Sequence, residues 1–157
     1  MSQAHRSVLF VCLGNICRSP TAEVLFRHHV QQRGLSDLYT IDSAGTGSWH
    51  SGEQPDQRMR AAAHAKGIDL DGRARQVRPG DFSAFDLLVC MDEDNRQTLI
   101  GRSAPVKRLH LLLDFDPTTE LRAVPDPYYG GARGFEQVFD LVYSATDKLL
   151  DHLEMSR

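Results

Sequence analysis

Cysteine is scarce in this chain. There are three in 157 residues, an odd number, which makes no secreted disulfide framework and points to a reducing cytoplasm. Long apolar runs are missing too. The longest near the N-terminus, Val8 to Leu13, is far too short to insert across a membrane. The opening "MSQAHRSVLFVCLGN" lacks the apolar centre and small-residue cleavage site of a signal peptide. No sign of charge dominates: 18 basic against 21 acidic residues leave a net charge of −3, so neither general nucleic-acid binding nor adsorption to an anionic membrane is expected. An anionic ligand must be drawn by local geometry. With no repeat, linker or low-complexity tract, residues 1–157 read as a single domain able to bury one sizeable core.

What is present alternates. Ser7 to Leu13, rich in Val, Leu and Phe, reads as a strand buried on both faces. Ser19-Pro20 reads as an N-cap and first helical position, with Glu23 in the first turn and Gly34 as the stop. Tyr39 to Ser43 suits a second strand, and "SAGTGSWHSGEQP" a loop. Pro55 opens a helix over Asp56 to Lys66. Phe85 to Met91 is a third strand, and Asp92 caps a helix reaching about Ile100. Val106 to Leu112 is the fourth strand, and a long polar segment follows. The last helix spaces Phe135, Val138, Phe139, Val142, Leu149 and Leu153 for one buried face. This order predicts an α/β three-layer sandwich, a four-stranded parallel sheet with helices on both faces. Ligands bind such folds beyond the carboxyl ends of the strands, where the loop from Cys12 to Ser19 lies.

That loop, between first strand and first helix, excludes several chemistries. Structural zinc sites pair cysteines two to four residues apart; Cys12 and Cys17 are spaced more widely, Cys90 stands alone and no histidines are spaced i,i+4. No metal or other cofactor is expected. No Gly-Lys-[Ser/Thr] occurs, and only Gly14 lies between strand and helix, so neither nucleotide-loop pattern is met. What remains is Cys-(x)5-Arg. Backbone N–H groups curling into a helix N-terminus form a concavity for a tetrahedral dianion and favour a thiolate at its base. Cys12 is then the nucleophile, and Arg18 grips two phosphate oxygens with its planar fork. Leu13, Gly14, Asn15, Ile16 and Cys17 form the phosphate-binding loop, with Gly14 and Asn15 the residues most tolerant of positive φ. The Ser19 hydroxyl can serve the thiolate.

"VCLGNICRSPTAE" resembles the active-site loop of the low-molecular-weight protein tyrosine phosphatases, and "DPYYGG" at Asp126 to Gly131 resembles their general-acid loop. "DSAGTGSWHSGEQPD" and "DLLVCMDEDN" extend the likeness over nearly the whole chain; "GSWH" and "DPYYG" lean toward the eukaryotic-type branch rather than the bacterial capsule-regulating one. The resemblance implies hydrolysis of phosphotyrosine in proteins and of small aryl phosphates through a phosphocysteine on Cys12, with Arg18 as clamp and Asp126 as general acid, then base. It implies tyrosine-phosphorylated proteins as partners, and leaves open a monomer or a weak homodimer. It also implies that Asn15, Ser19 and Ser43 brace the loop, and that Trp49, Tyr128 and Tyr129 wall the pocket. For Cys17 it implies a redox role, trapping an oxidised Cys12 as a disulfide; plain filling of space behind the loop is the alternative. Cys90 reads as inert core. One departure stands out: family members often carry a histidine before "ARQ" that completes the bracing, where this chain has Gly72. That predicts a less rigid loop or a raised Cys12 pKa, without loss of activity, unless another side chain or a water takes over. Two other readings compete. A thioredoxin-coupled arsenate reductase would need a further cysteine pair, and a phosphotyrosine-binding module would not need Cys12, Arg18 and Asp126 together.

Overall fold

The computed structural model describes residues 4–129 and 131–156. Four strands, β1 (Arg6–Cys12), β2 (Tyr39–Gly45), β3 (Leu87–Cys90) and β4 (Leu109–Leu111), form one parallel sheet in the order β2-β1-β3-β4. Residues Val8 to Val11 are fully buried, and the pleat divides them between two layers. Val8 and Phe10 join the cluster built on α1 (Arg18–Gln32), α2 (Gln57–His64) and α5 (Ala132–Met155). Leu9 and Val11 join the opposite cluster, which takes Phe82 from α3 (Asp81–Ala84) and Leu99 from α4 (Glu93–Gly101). Helices therefore cover both faces, as the alternation predicts. No helix of the described residues is long and apolar enough to cross a membrane.

Where the elements differ from expectation, a competing interaction explains it. Helix α1 starts at Arg18 with Cys17 as its cap. Ser19 is not the N-cap, because its hydroxyl turns inward to Cys12 and Asn15, and Pro20 sits inside the first turn, where a missing N–H costs nothing. Glu23 lies beyond that turn and accepts from Ser43. Strand β2 runs on to Gly45, which pairs with Cys12. Val106–Arg108 is a 3-10 turn after Pro105, which leaves β4 only three residues. Asp56 is not a helical residue but the cap of α2, its side chain accepting from the N–H groups of Arg58 and Met59. Helix α3, a single turn with no periodic face, is not legible in the sequence.

The sheet order makes β1 central and its carboxyl end the point where connections diverge to either side, the crevice such folds use for ligands. A brace ties the second layer to it. Arg75 bridges Asp42 (3.0 Å) and Asp81 (2.9 Å), and Asp81 also accepts from the N–H of Arg78 (2.7 Å). Burial alone would raise the Asp81 pKa, but the Arg75 and Arg78 donors outweigh it and hold the carboxyl below its usual range. A depressed folded pKa stabilises above the unfolded carboxylate range and is lost as pH falls through the folded value. Asp81→Asn is therefore expected to cost about 2 kcal/mol in urea unfolding at neutral pH. The gap from the parent should close in acid, once Asp81 is protonated.

Candidate active site

The chain leaves β1 at Cys12 and must reverse into α1 within five residues. Asn15 makes this possible with a left-handed backbone, φ +57°. Gly14, also expected there, is not left-handed. Its small size is needed for another reason: a Cβ would lie 3.0 Å from Cδ2 of His50, which packs against the loop.

Cys12 is buried at the bottom of this turn. Its Sγ lies 2.9 Å from Ser19 Oγ and 3.3 Å from the N–H of Asn15. The surrounding hydrogen bonds leave Ser19 free to donate to this sulfur. Asn15 Nδ2 donates to Ser19 Oγ (2.8 Å) and to Ser43 Oγ (3.0 Å). Ser19 therefore accepts from Asn15 and has its own proton to give Cys12, while Ser43 passes its proton to Glu23 (2.6 Å). Asn15 Oδ1 accepts from the backbone N–H of Arg75 (3.0 Å). Asn15, Ser19 and Ser43 are thus linked by hydrogen bonds behind the loop. Gly72 has no side chain to offer this network, and a Cβ there would meet nothing within 4 Å; Glu23 and the Arg75 amide extend it.

Arg18 is buried, and both of its protein hydrogen bonds come from Nη1: to Asp92 Oδ2 (2.7 Å) and to the carbonyl of Val124 (3.1 Å). The rest of the fork is left to the cavity. Burial opposes its charge, but Cys12 and Asp92 outweigh that and raise its pKa. Asp92 was legible only as a helix cap, which it is, through Oδ1 and the N–H of Asn95 (2.8 Å). Its second oxygen holds the arginine.

These groups open onto a cavity of about 150 Å³ that is also lined by Leu13, Ile16, Cys17, Trp49, His50, Asp126, Pro127 and Tyr128. Asn15, Ser19 and Ser43 stand behind it. Asp126 is partly exposed and accepts from the Tyr128 N–H (3.0 Å). Trp49 is 63% exposed and lies on Gly47, where a Cβ would come within 2.1 Å of its ring. Tyr129 ends the 3-10 turn Pro127–Tyr129, but its side chain, predicted as a pocket wall, lies outside the described residues. Larger clefts exist, such as one of about 540 Å³ near Arg96, His110 and Arg122, but no cysteine lines it. Cys17 is buried beside the cavity with Sγ 3.9 Å from Tyr128 Oη. Burial, with Asp56 nearby, pushes its thiol up to about 12. His50, which lines the cavity, is a residue the sequence reading missed, on a loop without periodicity; Asp56 was placed only at the start of its helix, and its bond to the cavity-lining Tyr128 was not legible.

The family model described as low molecular weight phosphotyrosine protein phosphatase matches residues 7–157. A low molecular weight protein-tyrosine-phosphatase of Streptomyces coelicolor is 46% identical over 150 residues, spanning 91% of this chain and 90% of its own. The human low molecular weight phosphotyrosine protein phosphatase is 43% identical over 141 residues, 87% of this chain and 89% of its own. The crystal structure of a protein tyrosine phosphatase from Entamoeba histolytica, with Hepes in the active site, matches with a TM-score of 0.92 at 42% identity, covering 96% and 98% of the two chains.

The Gly47 contact yields an expectation. Gly47→Ala must push the Trp49 ring off its platform. KM for aryl phosphates should then rise about fivefold, the worth of one aromatic contact, with kcat nearly unchanged in steady-state kinetics.

Proposed function

The chain belongs to the low molecular weight phosphotyrosine protein phosphatase family and is a protein-tyrosine phosphatase, and from that premise we propose how its site works. Cys12 attacks the phosphorus of a phosphotyrosine in line and forms a phosphocysteine. Arg18 and the amides of residues 13–18 hold the equatorial oxygens, where charge sits in the transition state. Asp126 protonates the departing phenolate oxygen. It then takes a proton from the water that attacks the phosphocysteine, releasing phosphate and the Cys12 thiolate. Ser19 donates to the sulfur both as nucleophile and as leaving group. Trp49 and Tyr128 flank the aryl ring. Substrates are tyrosine-phosphorylated proteins, and the three free thiols suit a reducing compartment, the cytoplasm.

The observation that carries this reading is convergence: a cysteine with two hydrogen-bond donors on its sulfur, an anchored arginine and a partly exposed aspartate line one cavity. The arsenate-reductase alternative lacks a further thiol pair, since Cys90, the remaining cysteine, is buried in β3. Its burial pushes the thiol up to about 12.

Cys12→Ser is expected to abolish hydrolysis of p-nitrophenyl phosphate. Asp126→Ala should lower kcat by about 10²–10⁴ and capture tyrosine-phosphorylated proteins; arsenate reduction with thioredoxin in the absence of phosphate release would overturn the reading. For Cys17 we propose that peroxide oxidises the Cys12 thiolate to a sulfenic acid, and that Cys17 condenses with it, releasing water and leaving a disulfide. Peptide mapping after mild peroxide should show the Cys12–Cys17 link, formed faster as pH rises because the Cys17 thiol is held protonated. Sulfinic acid at Cys12 without the link would rule it out.

A further inference from the structure

We propose that Asp56 is a positioning residue for Asp126 and acts through the hydroxyl of Tyr128; the proposal rests on the reading of Asp126 as general acid. Three parts of the site meet at Asp56. Its N–H donates to the carbonyl of Ile16 (2.7 Å), which ties it to the phosphate loop. Its Oδ1 accepts from the N–H of Arg58 (2.8 Å) and caps α2. Its Oδ2 accepts from the Tyr128 hydroxyl at 2.8 Å.

Tyr128 is thereby held at both ends, since its own N–H donates to Asp126 Oδ1 (3.0 Å). A third contact fixes the ring between them. The Arg58 guanidinium lies 4.7 Å from the centroids of Tyr128 and Phe135, and its Nη2 reaches Asp56 Oδ2 at 3.2 Å. Asp56 stays an acceptor: burial would raise its pKa, but the Arg58 and Tyr128 donors keep it below the usual range.

The acid turn needs such a tether. One side is moored where Val124 donates to Met91 O (2.9 Å) and accepts from Arg18. Asp126 lies between that mooring and Tyr128, on a segment whose regular structure is one short 3-10 turn. General-acid catalysis requires the proton within hydrogen-bond reach of the leaving oxygen, and small displacements are costly. Nucleophilic attack by Cys12 does not use this segment. Loss of the tether should therefore show in leaving-group dependence rather than in activity as a whole.

The test compares kcat/KM for phenyl phosphate, whose leaving oxygen needs a proton, with p-nitrophenyl phosphate, which leaves as a delocalised anion. Asp56→Ser keeps a helix cap but is too short to reach Tyr128; Tyr128→Phe keeps the ring and loses the hydroxyl. Each should lower kcat/KM for phenyl phosphate about tenfold more than for p-nitrophenyl phosphate, the scale of one hydrogen bond to a charged group. The double variant should lose no more than either single one. Asp56→Asn, whose carbonyl oxygen keeps the cap and whose amide can donate to the Tyr128 oxygen in the reverse sense, should restore the parent ratio. An unchanged ratio in the single variants, or an equal fall on both substrates, would overturn the proposal and leave the catalytic reading standing. A parent enzyme that turned over neither substrate would overturn that reading and this proposal with it.

Discussion

The carboxamide of Asn15 is the interaction on which the site depends. A chain that ends a buried strand and starts a helix five residues later must place one residue in the left-handed region, and Asn15 is that residue. Its side chain then serves the same turn from outside, giving two hydrogens to Ser19 and Ser43 and accepting one from Arg75. The bond to Ser19 leaves that hydroxyl's own proton free for Cys12. The three bonds together join loop, β2 and the Arg75 segment, so the curvature of the loop is maintained by three separate stretches of chain.

The same economy governs charge. Net charge is only −3, so a phosphate dianion is not drawn by the field of the whole molecule. In the proposed mechanism the attraction is local, from oriented amides and one arginine already held by Asp92 and Val124. Holding Arg18 by Nη1 alone removes much of the freedom a long side chain would otherwise lose on binding. The strand end matters equally. Cys12 is the last residue of β1, a strand packed from both layers, so the proposed nucleophile stands at the end of a fully buried run.

Local pattern and tertiary use explain what could be read from the amino-acid order. Strand β1 was legible because its run is apolar on both faces, and α5 because its apolar residues recur with helical period. Cys12, Arg18 and the left-handed Asn15 were legible because their chemistry depends on spacing within one loop. Ser19 was misread as a cap: Ser-Pro has the same local signature whether the hydroxyl turns to the helix or to a sulfur. Strand β4 shrank because Pro105 leads into a tight turn, an outcome that β-branched and apolar content does not reveal. Asp92 and Asp56 were each placed at the start of their helix, but their second partners lie 74 and 72 residues away. No periodicity carries information over that distance. Glu23 and the Arg75 amide likewise join the Asn15–Ser43 network from positions that no motif near Gly72 could show.

Asp92 has a consequence for how this protein can change over generations. One carboxylate oxygen begins a helix and the other aims the arginine. Serine or asparagine would satisfy the first demand and threonine could be tolerated there, but none of them carries the charge that the second demand requires. Glutamate would keep the charge and lose the cap. A residue under two such obligations has almost no neutral neighbours in sequence space. Drift must therefore go around this position, into the surfaces and loops that answer to a single requirement.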